Sequence, residues 1–535
     1  ARTLEVAGND PNSDGLLVVL TPQAMTDSTK TAKTLLDHAR IPDKPVLASW
    51  MGGPTVAEAV AILNEARVPV FSYPDTAARV FNSMWQYSKN LAQLYETPML
   101  PADSVETMPD RARVEALLAA VRNSGRTILT EFESKELLAA YHIPTVATVL
   151  ADSADAAVAA AKKIGYPVVL KLNSLTITHK TDVGGVQLDL KDANAVRAAF
   201  ERIQTSVTEK AGAEHFNGVT VQPMAKLDGY ELIIGSSIDQ QFGPVLLFGS
   251  GGQLVEVYKD SALALPPLTA NLARILMEET RIYKALQGVR GRPPVDLAAL
   301  EKLLVRFSQL VVEQPWIKEI DINPLVASHE QLLALDGRVV LFPPDTDPEQ
   351  LPRAAIRPYP VQYVREWKAK DGSEVTIRPI QPEDEVILRR FHETLSERTV
   401  HMRYLHAMQL SQRIAHERLA RLCYIDYDRE IALVAVRRNP YNNEPELMSV
   451  GRLTKRSGNS AEYAIIVSDR FQHQGLGKEM LSRLIEVARD EHVGTVFGTV
   501  LDENVEMLRM VGKLGFRIVD TDNPKLKRAE LQLGK

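Results

Sequence analysis

Short apolar runs alternate with helical patterns through the first part of the chain. The runs 16–20, 45–50 and 68–71 are rich in valine, leucine and other apolar residues, and a helical pattern follows the first of them at 28–40. Apolar runs of this length are typical of strands buried on both faces, and their alternation with helices predicts a parallel sheet. We therefore expect residues 1–115 to form a doubly wound α/β domain.

Two further α/β segments follow, and a proline-rich segment separates them. Residues 122–342 alternate predicted strands and helices with glycine-rich connections, whereas 343–373 opens with a high density of proline. Proline fixes φ and has no backbone N–H, so we expect an extended, semi-rigid linker there. Residues 374–535 contain predicted strands and helices of their own, and we expect them to fold independently.

The composition is that of a globular protein. Of the 535 residues, 45% are hydrophobic and 24% are charged, and the net charge is -6. This charge argues against general nucleic-acid binding, which needs a basic face. The single cysteine, Cys423, excludes an intramolecular disulfide and a thiolate zinc site. No segment has the pattern of a membrane span or a signal peptide, so we expect a soluble, cytoplasmic protein.

The last segment contains a glycine-containing loop between a predicted strand and a predicted helix. The run 461–467 is β-rich, the loop 472–477 reads Gln-His-Gln-Gly-Leu-Gly, and leucines at helical spacing follow. The backbone N–H groups of such a loop and of the helix N-terminus converge on one point, which suits a pyrophosphate. Further strands are predicted at 375–379, 431–436, 448–453 and 496–501.

With Asn504 and the later Lys-Leu-Gly-Phe at 513–516, this order resembles the GNAT acetyltransferase superfamily. The resemblance implies acetyl-CoA as cosubstrate and Glu462 as general base. A base is needed because only about one lysine amine in 10³ is neutral near pH 7.4. The acetyl-CoA-binding residues that the resemblance implies are Ile465, Ile466, Val467, Gln472, His473, Gln474, Gly475, Leu476, Gly477, Lys478 and Asn504.

Three residues of this segment have alternative interpretations. Glu462 could instead be a solvent-facing strand carboxylate. Val511 stands where many superfamily members carry a tyrosine that protonates the leaving thiolate, so another group acts there or none is needed. Cys423 could form an acyl-enzyme, but a small buried hydrophobic residue is the simpler interpretation.

In the middle segment, a lysine ends a predicted strand and a glycine-rich segment follows it. Lys171 closes the run 165–171, and one such point charge with several backbone donors can hold a phosphate tail. With His179, Glu256 and a predicted hinge strand at 221–224, this order resembles the ATP-grasp half of NDP-forming acyl-CoA synthetases. The resemblance implies ATP binding, in use or vestigial, at Lys171, Lys180, Gly184, Gly185, Gln222 and Met224, and Mg²⁺ at Asn323 and Asp336.

The order of the segments resembles the bacterial Pat-type protein lysine acetyltransferases across the whole chain. That resemblance implies a multidomain α/β protein with a flavodoxin-like CoA-ligase domain, an ATP-grasp domain and a GNAT domain. It implies acetylation of protein lysines, acetyl-CoA synthetase being one target, and a regulatory synthetase-like region. We also expect a homo-oligomer, no nucleic-acid or membrane partner, and a CoA-binding segment and relay histidine that would precede residue 1.

Three other functions stay open from the sequence. The chain could be an active NDP-forming acyl-CoA synthetase with an accessory acetyltransferase. It could be a small-molecule N-acetyltransferase fused to a sensor. It could also be a sensor of acyl-CoA that binds without catalysis.

Overall fold

The computed structural model describes residues 2–41, 44–94, 96–97, 99–100, 108–177, 180–225, 229–252, 260–289 and 291–534. The chain divides into two compact units, Ala1–Glu96 and Thr97–Lys535. Among the helices in these ranges, none combines the length and the apolar character needed to cross a membrane.

The first unit is a small parallel sheet with helices. Its strands are β1 (Leu16–Leu20), β2 (Val46–Trp50) and β3 (Val70–Phe71), and its helices are α1 (Arg2–Gly8), α2 (Ser28–Leu36), α3 (Ala57–Glu65) and α4 (Pro74–Leu94). The strands pair in the order β1-β2-β3, and both pairings are parallel. Every residue of β2 is buried, as expected of the central strand. The predicted parallel α/β arrangement is confirmed.

The second unit begins with two antiparallel sheets. The smaller sheet has the order β4-β7-β5-β6, and the larger has the order β10-β9-β8-β11-β12, with β13 also paired to β11. The strands of the smaller sheet are β4 (Val149–Ala151), β5 (Val168–Leu172), β6 (Val186–Leu190) and β7 (Val219–Pro223). Those of the larger are β8 (Tyr230–Asp239), β9 (Gly243–Ser250), β10 (Ser261–Ala264), β11 (Ile317–Ala327), β12 (Leu332–Ala334) and β13 (Arg338–Leu341).

Helices cover both of these sheets. They are α5 (Arg111–Asn123), α6 (Glu131–Ala140), α7 (Ala154–Ile164), α8 (Ala193–Lys210), α9 (Ala270–Glu278), α10 (Ile282–Leu286) and α11 (Leu297–Glu313). Helix α6 begins with a complete capping box, in which Thr130 and Glu133 each bond the other's backbone N–H. Its apolar residues pack in the core of the larger sheet, while Glu131 in its first turn reaches the smaller one.

The last sheet has eight strands in the order β14-β15-β16-β17-β18-β19-β21-β20. They are β14 (Arg365–Lys368), β15 (Glu374–Pro379), β16 (Glu430–Arg438), β17 (Pro445–Arg456), β18 (Ser460–Val467), β19 (Thr495–Leu501), β20 (Arg517–Asp520) and β21 (Leu526–Gln532). The helices are α12 (Glu385–Glu393), α13 (Glu397–Tyr404), α14 (Leu410–Arg413), α15 (His416–Cys423), α16 (Leu476–Asp490) and α17 (Val505–Lys513).

Two cores cover opposite faces of this sheet. Helix α16 packs on one face against Tyr463 and Ile465 of β18. Helices α12 and α15 pack on the other face, where they meet Ile466. The alternation follows from the period of two along a strand. The strands, loop and helices predicted for this segment are confirmed.

The segment 343–373 differs from the extended linker expected from its prolines. Its end forms β14, an edge strand that pairs with β15, so the sheet begins before residue 374. Upstream, the Arg357 guanidinium lies 2.5 Å from the Glu491 carboxylate. Tyr359 is only 4% exposed, and its hydroxyl donates to the Pro379 carbonyl at 2.8 Å. The prolines end at 360, and the residues beyond them are free to pair.

Tyr359 provides a test of this docking. We expect Tyr359→Ala to destabilise the C-terminal sheet by about 3 kcal/mol, as for other buried aromatic truncations. Tyr359→Phe keeps the ring and should cost about 1 kcal/mol for the lost hydrogen bond. Hydrogen exchange of β15 amides in the full chain measures both effects. Equal exchange in all three proteins would mean that the segment does not contribute to the fold.

Candidate functional site

A buried carboxylate joins three lysines between the two sheets of the middle region. The side chain of Glu131 is 3% exposed, and its Oε1 accepts from Lys135 at 2.8 Å and from Lys171 at 2.9 Å. Its Oε2 accepts from Lys180. The Gln222 amide donates to Oε1 at 2.7 Å. Helix α6, strands β5 and β7 and the turn before β6 therefore converge on one carboxylate.

Burial and the charges of neighbouring groups together set the protonation states of Glu131, Lys135 and Lys171. Burial works against the ionised form of Glu131, but the three lysines outweigh it and hold its pKa well below the ordinary value. Burial lowers the pKa of Lys135 to about 8. Burial also works against the charge of Lys171, but Glu131 and Asp336 raise its pKa overall. The site thus keeps fixed positive charge at neutral pH.

Three of the predicted nucleotide-binding residues and one of the predicted Mg²⁺ ligands lie in or beside this cluster. Lys171, Lys180 and Gln222 touch Glu131, and Asp336 lies 3.8 Å from the Lys171 amine. The backbone N–H of Met224 is already bonded to the Pro167 carbonyl at 3.0 Å, so it is not free for a ligand as the structure stands.

Gly184 and Gly185 form the turn that carries Lys180. Gly184 has φ +70, and a Cβ on Gly185 would lie 2.8 Å from Leu172 and 2.9 Å from the Lys180 carbonyl. These glycines let the turn pack closely on β5. His179 and Glu256, which the sequence also singled out, lie outside the described residues.

Asn323 and Asp336 face each other across the β11–β12 pair. The pairing of Leu325 with Ala334, continued by two residues, sets Asn323 opposite Asp336. The side-chain amide oxygen Oδ1 of Asn323 accepts from the Gly252 N–H at 3.0 Å. Within the described ranges, no group of three or more His, Cys, Asp or Glu residues could hold a metal ion. Two protein oxygens fit Mg²⁺ only together with phosphates and water.

The second site lies where β18 and β19 separate. These strands are parallel, and only Ser460–Glu462 of β18 pair with residues 495–497 of β19. Beyond Glu462 the pairing ends, although β18 continues to Val467. A gap therefore opens in the middle of the sheet.

Backbone donors of β18 point into this gap. The Ser468 N–H donates to the Met448 carbonyl at 3.0 Å, so residues of even number on this strand bond to β17. The N–H groups of Ile465 and Val467 consequently face the β19 side, where the pairing has ended. The Ile466 N–H faces β17, so of the three predicted donors only two are directed into the gap.

The predicted loop lies at the start of α16. Gly475 is the N-cap residue of that helix and has φ +90, a left-handed conformation that favours glycine. The Gln472 side chain donates to the Val467 carbonyl at 3.2 Å and to the Thr399 hydroxyl at 3.1 Å. The amide oxygen of Gln474 is buried without a hydrogen-bond partner. As at any helix N-terminus, the first N–H groups of α16 have no carbonyl partner within the helix, so they can bind an anion.

The remaining residues of the predicted set occupy different positions. Leu476 is buried in the core, whereas Lys478 and His473 are exposed. A Cβ on Gly477 would meet only ordinary contacts at 3.7 Å. The Asn504 side chain accepts from the Met507 N–H at 3.2 Å, so it caps α17.

Glu462 lies at the point where the strands part. Its side chain is 35% exposed and accepts from the Arg456 guanidinium at 2.6 Å. By strand alternation it points to the same face as Ala464 and Ile466, which α12 and α15 cover farther along. The carboxylate is therefore both beside the gap and reachable from solvent.

The burial of Val511 and Cys423 decides between the alternative interpretations of these two residues. Val511 is fully buried and has no group that could donate a proton. Cys423 is 1% exposed, and burial raises the pKa of its thiol to about 12. A thiol that stays protonated at neutral pH is a poor nucleophile, so the interpretation as a buried hydrophobic residue holds.

Sequence analysis missed Glu131 and Lys135. Both lie on helix α6, and the sequence analysis assigned no functional residue to that helix. Their spacing of four residues, on the buried face with Leu138, was the available signal. Charged residues on the buried face of a helix need partners, and here the partners come from β5 and the glycine turn.

Replacement of Glu131 tests the cluster. Glu131→Gln leaves three lysines without their shared carboxylate and should destabilise the protein by about 3–5 kcal/mol. Glu136→Gln is the matched control on the same helix, since the ion pair of Glu136 with Arg113 is partly exposed and its loss should cost about 1 kcal/mol. Urea unfolding measures both.

The pH dependence of the same difference follows from the lowered pKa of Glu131. The ordinary pKa is 4.5, so the stability from the ionised carboxylate is complete above that pH and is lost as the pH falls through the lower folded-state pKa. The difference between wild type and Glu131→Gln should stay constant from pH 7 to about 5 and shrink in more acid solution. A difference that grows on acidification contradicts the assignment.

Comparisons with known proteins match the two regions in which these sites lie. The ATP-grasp domain family model matches residues 120–341, and the GNAT acetyltransferase domain model matches 374–517. An ADP-forming acetate–CoA ligase I from Archaeoglobus fulgidus is 34% identical over 341 residues, which are 64% of this chain and 48% of that protein. The chain therefore spans about half the length of that relative.

Two further matches each cover one region. The β subunit of ADP-forming acetate–CoA ligase I from Pyrococcus furiosus is 39% identical over 213 residues, 40% of this chain and 91% of the subunit. The crystal structure of the GNAT domain of S. lividans PAT matches with a TM-score of 0.30 and 21% identity, over 33% of this chain and 99% of that one. The chain belongs to the ATP-grasp family of ADP-forming acyl-CoA ligases and carries a GNAT acetyltransferase domain after that region.

Proposed function

We propose that this chain is a protein lysine N-acetyltransferase. Its GNAT domain would move the acetyl group of acetyl-CoA to the ε-amine of lysines on other proteins, acetyl-CoA synthetase among them. The observation that carries the proposal is the parting of β18 and β19 at Glu462, which leaves the Ile465 and Val467 N–H groups directed into a gap beside a carboxylate.

Each of these groups has one task in the transfer. The Glu462 carboxylate takes a proton from the lysine ammonium, directly or through water, and the neutral amine attacks the thioester carbonyl carbon. The Ile465 and Val467 N–H groups donate to the carbonyl oxygen as it gains negative charge. The C–N bond forms, the C–S bond breaks, and the CoA thiolate leaves. Because Val511 has no side-chain proton to donate, solvent protonates the thiolate.

The ion pair between Glu462 and Arg456 bears on this role. Arg456 is 53% exposed, so its guanidinium is held loosely and an incoming amine can take its place. A carboxylate that pairs with one cation at rest is preorganised for another cation. In this proposal Arg456 holds Glu462 in position until lysine binds.

The ATP-grasp region is proposed as a regulatory nucleotide site. Lys171 and Lys180 would hold the phosphates, and Asn323 with Asp336 would supply oxygen ligands to Mg²⁺. Phosphate oxygens would replace Glu131 as partners of these lysines. Nucleotide can then alter transfer only through different affinities for two states of the chain.

A second function, acyl-CoA synthesis, is favoured by one specific observation. The lysines and the Asn323–Asp336 pair are assembled rather than dispersed, as an active nucleotide site requires. Incubation with acetate, CoA and ATP distinguishes the two functions. Formation of acetyl-CoA and ADP at a rate similar to that of lysine acetylation would support a ligase. Lysine acetylation from supplied acetyl-CoA, without such synthesis, would support the acetyltransferase.

Glu462→Gln tests the proposed base. We expect kcat for lysine acetylation to fall by about 10²-fold or more at pH 7, with little change in the Kd of acetyl-CoA. The loss should shrink towards pH 9, because more of the lysine is then neutral without a base. Glu530→Gln is the matched control, a strand carboxylate of the same sheet that also pairs with an arginine. Wild-type rates from pH 6.5 to 9 in Glu462→Gln would leave Glu462 as a strand carboxylate only.

Gly475→Ala tests the loop. The new Cβ would meet only Lys370, at 3.8 Å, so space is available and the left-handed φ is the obstacle. We expect a strain of about 1–2 kcal/mol and a rise of tenfold or more in the Kd of acetyl-CoA. Gly512 also has open space but no positive φ, so Gly512→Ala should leave the Kd unchanged. Calorimetric titration compares the two; equal affinities would remove the loop from the binding site.

A further inference from the structure

A small cavity lies beside the gap, on the face of the sheet that carries Glu462. Its volume is about 80 Å³, and helices α12, α13 and α15 enclose it against β17 and β18. Leu388, Val450 and Ile466 form apolar walls. A cavity of this size exceeds the ~10–15 Å³ that one water molecule needs, so it accepts a group of several atoms.

Three arginines line this cavity, and two of them form no ion pair with the carboxylates that the structure describes. Arg452 is bonded to the Glu430 carboxylate and to the Leu422 carbonyl. Arg403 and Arg418 instead lie near the ring of Tyr404, with guanidinium carbons 5.0 and 5.2 Å from its centroid. Neither makes a hydrogen bond or an ion pair with any residue that the structure describes, and the Nε of Arg418 is buried without a partner.

The electrostatics of the cavity favour an anion. Burial lowers the pKa of Arg403, and the charges of Arg452 and Arg418 add to this effect, whereas Tyr404 and Glu462 oppose it without reversing it. Burial and the surrounding arginines lower the pKa of His392, which also lines the cavity, to about 4. His392 is therefore neutral at pH 7, while the arginines stay charged. Two partly buried guanidinium groups without a bonded counter-ion are costly, and a bound anion would offset that cost.

Helix α13 connects the cavity to both parts of the proposed transfer site. Thr399 accepts from Gln472 of the acetyl-CoA loop, and Arg403 lies one turn farther along the same helix face. The negative charge of Glu462 also acts on Arg403, where it favours the charged form of the guanidinium and opposes the lowering of its pKa by burial. Ala464, two residues after Glu462 on the same strand face, lines the cavity. An acceptor whose amine reaches Glu462 would therefore pass close to Arg403.

We propose that this cavity binds a carboxylate of the acceptor, namely an acidic side chain close in sequence to the target lysine. The guanidinium forks of Arg403 and Arg418 match a carboxylate, and the apolar walls suit the methylene groups that carry it. The site would thus select lysines with an acidic neighbour. This inference rests on the proposed lysine acetylation, and it adds the feature of the substrate that is recognised.

Matched peptides test the inference with the full chain. Each peptide contains one lysine and one glutamate placed one to three residues to either side, and its control carries glutamine instead. We expect the glutamate peptide with the best placement to bind about tenfold or more tightly than its control, by calorimetric titration in the presence of CoA. Arg403→Gln should abolish this difference. Arg398→Gln, an exposed position on the same helix, should keep it.

Peptide affinity and acetyl transfer are measured separately, so the results distinguish failure of the anion site from failure of the proposed lysine acetylation. A glutamate preference that Arg403→Gln removes, without acetyl transfer to any peptide, would support the anion site and contradict lysine acetylation. Transfer with equal affinity for glutamate and glutamine peptides would overturn the anion site alone. If inorganic phosphate competes with the glutamate peptide no better than chloride does, carboxylate is the preferred anion. If phosphate displaces it at equal concentration, the acidic-side-chain assignment is wrong.

Thermal unfolding separates recognition from a structural role. Removal of one of two unpartnered like charges relieves repulsion, so Arg403→Gln and Arg418→Gln should unfold at the wild-type temperature or above it without peptide. The exposed Arg421 on the same helix as Arg418 supplies the control, Arg421→Gln. Lower unfolding temperatures for Arg403→Gln and Arg418→Gln, with the peptide preference retained, would mean that these arginines support the fold and do not read the acceptor.

Discussion

Backbone hydrogen bonding between β18 and β19 stops after Glu462, and the proposed transfer site depends on that ending. Up to Glu462 the strands pair in parallel; beyond it, the N–H groups of alternate β18 residues face a gap in the sheet. A backbone donor needs a partner, from water or from a ligand. The sheet is complete on the β17 side, so the exposed donors stay fixed in direction. Rigid donors beside one carboxylate are what acyl transfer from a thioester requires.

The middle region differs from the transfer site, because its fixed groups are positively charged lysines that already bind a carboxylate of the chain itself. Glu131 occupies the point where Lys135, Lys171 and Lys180 converge. In this account the carboxylate keeps the lysines in place when no nucleotide is bound. In the arginine cavity of the GNAT domain, no carboxylate among the described residues is bonded to Arg403 or Arg418, and this contrast is why an external anion is inferred there. In the described part of the chain, the cationic side chains of the middle region are thus paired with an internal carboxylate, whereas Arg403 and Arg418 are not.

Local sequence patterns predicted most of the fold and part of each site. Strand periodicity and the glycine loop located β18, α16 and Gly475, because these signals depend on neighbouring residues. The role of Glu131 could not be predicted, since its partners lie on strands and turns distant in sequence. Strand β14 was missed because the prolines before it dominated the pattern. Asn504 was singled out by the resemblance to the GNAT superfamily, but in the structure its side chain caps α17. The capping role could be assigned only once the start of the helix was known.

The central claim is that acetyl-CoA binds in the gap between β18 and β19. Hydrogen exchange of the full chain, measured at the amides of Ile465 and Val467 with and without acetyl-CoA, tests it directly. Exchange reports on whether a backbone donor has gained a partner. The account predicts that both amides become protected at saturating acetyl-CoA, while the β17-bonded amide of Ile466 changes little. Saturable binding of acetyl-CoA that leaves Ile465 and Val467 exchanging at their free rates would contradict it.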